Sequence, residues 1–126
     1  MKKDQIKNVD DRKIIGVLSD KKVPVGISES LALHLEQKDR SYVCLPFVVE
    51  AEHLKNIVMC LKLMDIEGLV ITGKHSKDII KYLETDMSAK EAGMVNIVKR
   101  NGSKLIGSYL VEDNFIKNAT EFFKEN

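Results

Sequence analysis

The sequence lacks several features that would assign it to a specialised class of protein. It has no tryptophan, two prolines and two cysteines in 126 residues, so neither a disulfide framework nor a proline-rich disordered chain is indicated. No apolar run approaches the roughly 18 residues that a membrane-spanning helix needs. The first residues are polar and of mixed charge, unlike a secretory signal. We therefore expect a cytoplasmic protein that does not interact with a membrane.

An excess of charge of one sign is also missing, because the formal net charge is +1. Basic and acidic residues are interleaved, which is typical of a solvated surface and gives no support for nucleic-acid binding. Cys44 and Cys60 lie far apart inside apolar segments, and we interpret them as buried free thiols of a reducing compartment. The His, Cys, Asp and Glu residues show no persuasive metal spacing, so no metal is expected.

The composition is that of one soluble globular domain, which we place over residues 1–126. The chain is 44% hydrophobic and 31% charged, and its length is sufficient for a hydrophobic core. Residues 1–12 carry little hydrophobicity and are interpreted as a frayed lead-in.

Strand-like and helix-like segments alternate along the chain. Apolar runs predict strands at 14–18, 41–49 and 69–71, and helical periodicity predicts helices at 28–37 and from Leu54 to Met64. After a helical turn over 86–93, the pair Asn101-Gly102 favours a type I′ hairpin between 94–100 and 103–110. Asp113 can cap a last helix. This order predicts an α/β domain: three layers, a mainly parallel sheet flanked by helices, and an antiparallel edge hairpin.

The segment Asp65–Lys77 has the features of a ligand-binding corner. Its buried strand ends at Thr72, Gly73 permits a sharp turn, and Ser76 can N-cap the next helix. Ligands of open α/β sheets bind beyond the carboxyl end of such a strand.

Positively charged residues surround the start of that helix, namely Lys74, His75 and Lys77. A helix N-terminus with cations nearby favours a carboxylate or a phosphate. The alternative is a solvent-exposed basic loop without a ligand.

The elements and their residues together resemble the N-terminal, substrate-binding domain of shikimate dehydrogenase. The resemblance covers roughly residues 13–123. The similar segments are Ile15-Gly16-Val17 with Asp20, residues 42–47, 68–75 and 93–96, the Asn101-Gly102 hairpin with residues 105–107, and Phe115.

The resemblance implies an oxidoreductase family whose second, Rossmann-type domain binds NADP. Such a domain needs a glycine-rich strand-to-helix turn, and this sequence has none, so no cofactor is expected. The family's catalytic lysine and aspartate correspond to Ser76 and Val111, and its asparagine on the central strand corresponds to Val70. The resemblance therefore implies a catalytically inactive, stand-alone relative with no catalytic residues.

Two polar binding positions of the family are kept, Thr72 and Asn96. A structural role, in which each side chain satisfies nearby backbone groups, is the alternative at both. Ser28 and Ser30 replace the family's serine-rich carboxylate-binding loop if the register slips. The candidate substrate-binding set is completed by Lys74, His75, Ser76 and Lys77.

The sequence is compatible with three functions. The first is a catalytically inactive domain that binds a small anionic, shikimate- or quinate-like metabolite as a sensor or regulator. The second is an oxidoreductase subunit completed in trans by a separate NADP-binding chain. The third is a homo-oligomeric interaction module, most simply a homodimer formed through the phenylalanine-bearing C-terminal helix.

Overall fold

The computed structural model describes residues 13–20, 27–38 and 42–124, which form a six-stranded sheet with helices on both faces. The predictions for residues 1–12 lie outside the described residues. The strands are β1 (Lys13–Ser19), β2 (Tyr42–Val48), β3 (Gly68–Ile71), β4 (Glu84–Thr85), β5 (Ile97–Asn101) and β6 (Lys104–Ser108). The helices are α1 (Ile27–Lys38), α2 (Leu54–Leu63), α3 (His75–Asp78), α4 (Met87–Ala92) and α5 (Phe115–Lys124), with 3-10 turns at Ala51–His53 and Ile79–Tyr82.

The strand order in the sheet is β2-β1-β3-β5-β6-β4. β1 is parallel to both β2 and β3, β4 is parallel to β6, and β5 is antiparallel to its two neighbours. The predicted α/β class with a mainly parallel sheet is confirmed. Pro46 lies in β2, at the edge of the sheet, where a missing N–H is tolerated.

The predicted hairpin is present as β5 and β6, but it differs from the expectation in two respects. Asn101 pairs with Lys104, so the two-residue loop is Gly102-Ser103. Gly102 has φ 65° and Ser103 does not have a positive φ, as in a type II′ rather than a type I′ turn. The hairpin also does not form the edge, because β4 pairs with β6 on its outer side.

The helices divide between the two faces of the sheet, which confirms the three layers. α2, the 3-10 turn after α3, and α4 pack on one face, with buried Leu69 and Ile71 of β3 below them. α1 and α5 pack on the other face against Val70. β3 is therefore buried on both sides, as its continuous apolar run predicts.

Two predicted helix starts are wrong by a residue or more. α3 begins at His75 with Lys74 at the N-cap, because the Ser76 hydroxyl donates to the Gly73 carbonyl at 3.1 Å instead of capping the helix. α5 begins at Phe115, later than a cap at Asp113 would place it, since Asn114 intervenes with φ 58°.

The helical turn predicted over 86–93 is confirmed as α4. The Asp86 side chain accepts a hydrogen bond from the Ala89 N–H, and Gly93 ends the helix with φ 72°. This capped helix places Asp86 beside β6, where the Ser108 hydroxyl donates to it at 2.5 Å.

The two cysteines do not form a disulfide with each other, as predicted, but their burial differs from the expectation. Cys44 is partly buried, whereas Cys60 is exposed because α2 turns Leu54, Val58 and Leu61 toward the sheet. In the described part of the chain, no helix has the length and apolar character required to cross a membrane.

Candidate functional site

A cavity of about 420 Å³ opens beyond the carboxyl end of β3. It lies between that strand end, the segment before β5, and the segment that joins β6 to α5. This is the position at which open α/β sheets bind their ligands. Its walls are the apolar residues Val70, Ile71, Met94, Phe115 and Ile116, together with Thr72, Gly73, Ser76, Asn96, Tyr109 and Glu112.

Thr72 and Asn96 both line this cavity, and both side chains also hold the backbone in place. The Thr72 hydroxyl donates to the Leu18 carbonyl at 3.3 Å. The Asn96 Nδ2 donates to the Leu110 carbonyl at 2.7 Å, while its Oδ1 accepts from the Leu110 N–H at 2.8 Å. The structural role that the sequence allowed is therefore present at both positions, in the walls of a cavity large enough for a small molecule.

Ser76 lines the cavity through the turn that follows β3. Gly73 has φ 73°, and a Cβ on it would lie 2.7 Å from Asp20 Oδ1, so the turn requires glycine. The Ser76 carbonyl accepts from the Val95 N–H at 2.8 Å, which joins α3 to the segment before β5.

The basic residues predicted around α3 do not form a wall of the cavity. His75 is fully buried, and its Nε2 lies 2.7 Å from the Val49 carbonyl. Because a carbonyl only accepts, Nε2 must carry the hydrogen. Nδ1 is buried without a hydrogen-bond partner, so neither ring nitrogen is open to a ligand. Lys74 and Lys77 are exposed outside the cavity walls.

Ser30 and Val111 are also separate from the walls given above. Ser28 lies in α1, but its side chain is outside the described part of the structure. Ser30 is half-buried, and its carbonyl accepts from the His34 ring at 3.0 Å. Val111, to which the resemblance assigns the family's aspartate, is 65% exposed. The structure therefore brings together Thr72, Ser76 and Asn96 out of the predicted set.

Sequence reasoning did not assign the walls Met94, Tyr109 and Glu112 to a site. The signal that could have found them is the hairpin register, which pairs Ile97 with Ser108. The residues flanking that pair must lie at the same end of the hairpin, beside the end of β3. Met94, together with Val70, Ile71, Phe115 and Ile116, makes this cavity more apolar than the predicted polar corner, whereas Glu112 adds a charge.

A second group of polar side chains lies on the surface at the start of α2. Glu50, Glu52 and His53 present potential ligand atoms within 4.8 Å of one another, and all three residues are exposed. His53 Nε2 is 3.4 Å from Glu52 Oε2. Acidic residues are favoured at helix N-termini by the helix dipole alone, so we assign no metal site to them.

The sheet, its two helical layers and the cavity define an α/β domain with a cavity beyond the carboxyl end of a central strand. No protein-family model matches the chain. Shikimate dehydrogenase (NADP(+)) of Methanococcus aeolicus is 39% identical over 99 residues, which are 75% of this chain and 34% of the relative. The Bacillus subtilis enzyme of the same name is 32% identical over 110 residues, which are 84% of this chain and 38% of that relative.

The solved structures with a similar fold include a shikimate 5-dehydrogenase. A chorismate mutase/shikimate 5-dehydrogenase fusion protein from Clostridium acetobutylicum superposes with a TM-score of 0.74 and 25% identity, covering 90% of this chain and 42% of that one. This chain is homologous to the shikimate dehydrogenases and corresponds to part of their N-terminal domain. It spans little more than a third of the length of the two curated relatives above.

Proposed function

We propose that this chain is a substrate-binding domain of the shikimate dehydrogenase type that binds a small ring compound and transfers no hydride by itself. We propose that the chain acts in the cytoplasm as a sensor or regulator of that compound. The proposal depends on one observation: the cavity beyond β3 has Thr72, Ser76 and Asn96 in its walls. The resemblance places the family's lysine at the position of Ser76. Val111, at the aspartate position, has no group that could transfer a proton.

The first ligands to test are shikimate, quinate and dehydroshikimate. The names of the two relatives given above contain both shikimate and NADP(+). The sequence predicts an anionic ligand, and these three acids test that alternative; Lys74 and Lys77 are exposed outside the cavity walls.

The test combines an activity assay with a binding assay on the 126-residue chain. We expect no NADPH when the chain is incubated with NADP(+) and shikimate, while the Methanococcus aeolicus relative serves as the positive control. Isothermal titration with the three acids measures binding in the absence of cofactor. Turnover by the chain would contradict inactivity, and no heat with all three acids would contradict an acidic ligand.

An oxidoreductase completed in trans is the second candidate. It is supported by the names of the relatives, which include NADP(+). This hypothesis predicts that an adjacent gene encodes an NADP-binding chain and that adding that chain gives NADP-dependent turnover. Ser76 and Val111 at the catalytic positions argue against it.

A homodimer is the third candidate, and the structure changes where we expect its contact. Phe123 of α5 is 2% exposed and therefore belongs to the core. Large exposed apolar side chains occur instead on α2 and on the edge strand β2, including Leu63 (90% exposed), Met59 (55%) and Val48 (54%). Sedimentation as a monomer at high micromolar concentration would contradict self-association.

A further inference from the structure

We propose that the cavity beyond β3 selects a ring compound carrying a protonated amine, held by Glu112, over a ring compound carrying a carboxylate. This inference rests on the proposed function, because it names the class of ligand for the same cavity.

The walls of the cavity favour a ring with an apolar face. Val70, Met94, Phe115 and Ile116 all line it. A hydroxyl placed against such walls loses its hydration without gaining a hydrogen bond, whereas an apolar ring gains from burial.

Three wall side chains that could donate to a carboxylate already donate within the protein, and the Tyr109 hydroxyl is a further donor in the walls. The Thr72 hydroxyl donates to the Leu18 carbonyl, and the Ser76 hydroxyl donates to the Gly73 carbonyl. The Asn96 amide donates to and accepts from the backbone of Leu110. An acid would have to compete with these bonds, which hold the walls in place.

Glu112 supplies a negative charge at the cavity. It is the charged residue among the described walls, its side chain is exposed, and the ion pairs of the described residues do not include it. A carboxylate attracts an ammonium group and repels another carboxylate. Because water screens an exposed pair, we expect an advantage of about fivefold for the amine.

Three probes that share one ring separate charge from shape: 2-phenylethylamine, 2-phenylethanol and phenylacetate. Binding of each to the 126-residue chain is measured at neutral pH by NMR titration, with shikimate measured in parallel. We expect the amine to bind about fivefold more tightly than the alcohol and the carboxylate to bind more weakly than both.

Two variants assign the charge effect to one residue. Glu112→Gln should abolish the advantage of the amine over the alcohol. Glu121→Gln, at an exposed position on α5 outside the cavity walls, should keep the advantage. Equal or tighter binding of phenylacetate, or an amine advantage that persists in Glu112→Gln, would overturn the inference.

The parallel shikimate titration separates failure of the inference from failure of the proposed function. If shikimate binds and 2-phenylethylamine does not, the inference fails and the proposed function stands. If none of the four compounds binds, both fail.

Discussion

Asn96 lines the cavity and also holds two backbone segments of the fold together. Its amide pairs with the N–H and the carbonyl of Leu110, at 2.8 Å and 2.7 Å, and so holds the segment after β6 beside β5. Asn96 is 8% exposed, so water has little access to replace these bonds. One side chain therefore shapes two walls of the cavity.

Replacing Asn96 by alanine should lower the free energy of unfolding by about 2 kcal/mol, because a donor and an acceptor of Leu110 lose their partners. Urea unfolding at neutral pH measures the change. Asn118→Ala is the matched control, since the Asn118 amide donates to the Asp113 carbonyl at an exposed site. The control should change stability by less than about 0.5 kcal/mol, and equal effects of the two substitutions would contradict the role of Asn96.

Asp86 is a second residue whose contacts give a measurable property. Burial raises the pKa of its carboxyl, but hydrogen bonds from the Ser108 and Ser88 hydroxyls and from the backbone N–H groups of Ala89 and Ser88 outweigh it. The pKa of Asp86 therefore lies below its ordinary value of 3.8. A carboxyl whose pKa is lower in the folded state stabilises the protein above its unfolded pKa.

We expect the stability contributed by the Asp86 charge to be complete above the ordinary pKa and to disappear as pH falls through the folded-state pKa. Asp86→Asn keeps an acceptor for the helix cap but removes the charge. The difference in unfolding free energy between wild type and Asp86→Asn should therefore be larger at about pH 6 than at about pH 3. A difference that does not change with pH would contradict this account.

At the scale of elements, Arg100 of β5 joins the sheet to the end of α2. Its Nη2 donates to the carbonyls of Leu61 and Met64 at 2.9 Å and 2.8 Å, and its Nε donates to Ile66 at 2.7 Å. The last carbonyls of a helix have no partners within it, and a positive charge there also interacts favourably with the helix dipole.

Arg100→Lys should destabilise the chain by about 2 kcal/mol, since a lysine cannot reproduce several donors fixed in one plane. Thermal or urea unfolding measures the loss. Lys104→Ala provides a comparison, because the ion pair of Lys104 with Glu84 spans 3.5 Å and both side chains are more than half exposed. We expect Lys104→Ala to lower the free energy of unfolding by less than about 1 kcal/mol. A loss of the same size for Arg100→Lys would contradict the proposed role of Arg100 in joining β5 to the end of α2.

Elements with a strong local pattern could be predicted from the sequence, and those that depend on distant partners could not. β3 and α2 follow directly from their apolar patterns. β4 has only two residues and is defined by its pairing with β6, so no local sequence pattern predicts it. The burial of His75 likewise depends on the Val49 carbonyl, 26 residues away.

At the scale of the molecule, the described residues combine an α/β scaffold similar to that of shikimate dehydrogenases with a largely apolar cavity beyond β3. Its class, its relationship to shikimate dehydrogenases and the position of the cavity beyond β3 could be predicted from residue order and resemblance. The composition of the walls could not, because Met94, Tyr109 and Phe115 come from segments that the fold brings together. The central claim is that this cavity is the ligand-binding site of the chain.

An amide NMR map of the ¹⁵N-labelled chain, titrated with shikimate and with 2-phenylethylamine, tests that claim most directly. We predict that the amide signals which shift belong to residues 72–76, 94–96 and 109–116, around the cavity. Shifts confined to Glu50–His53 or to α4, or no shift with either compound, would contradict it.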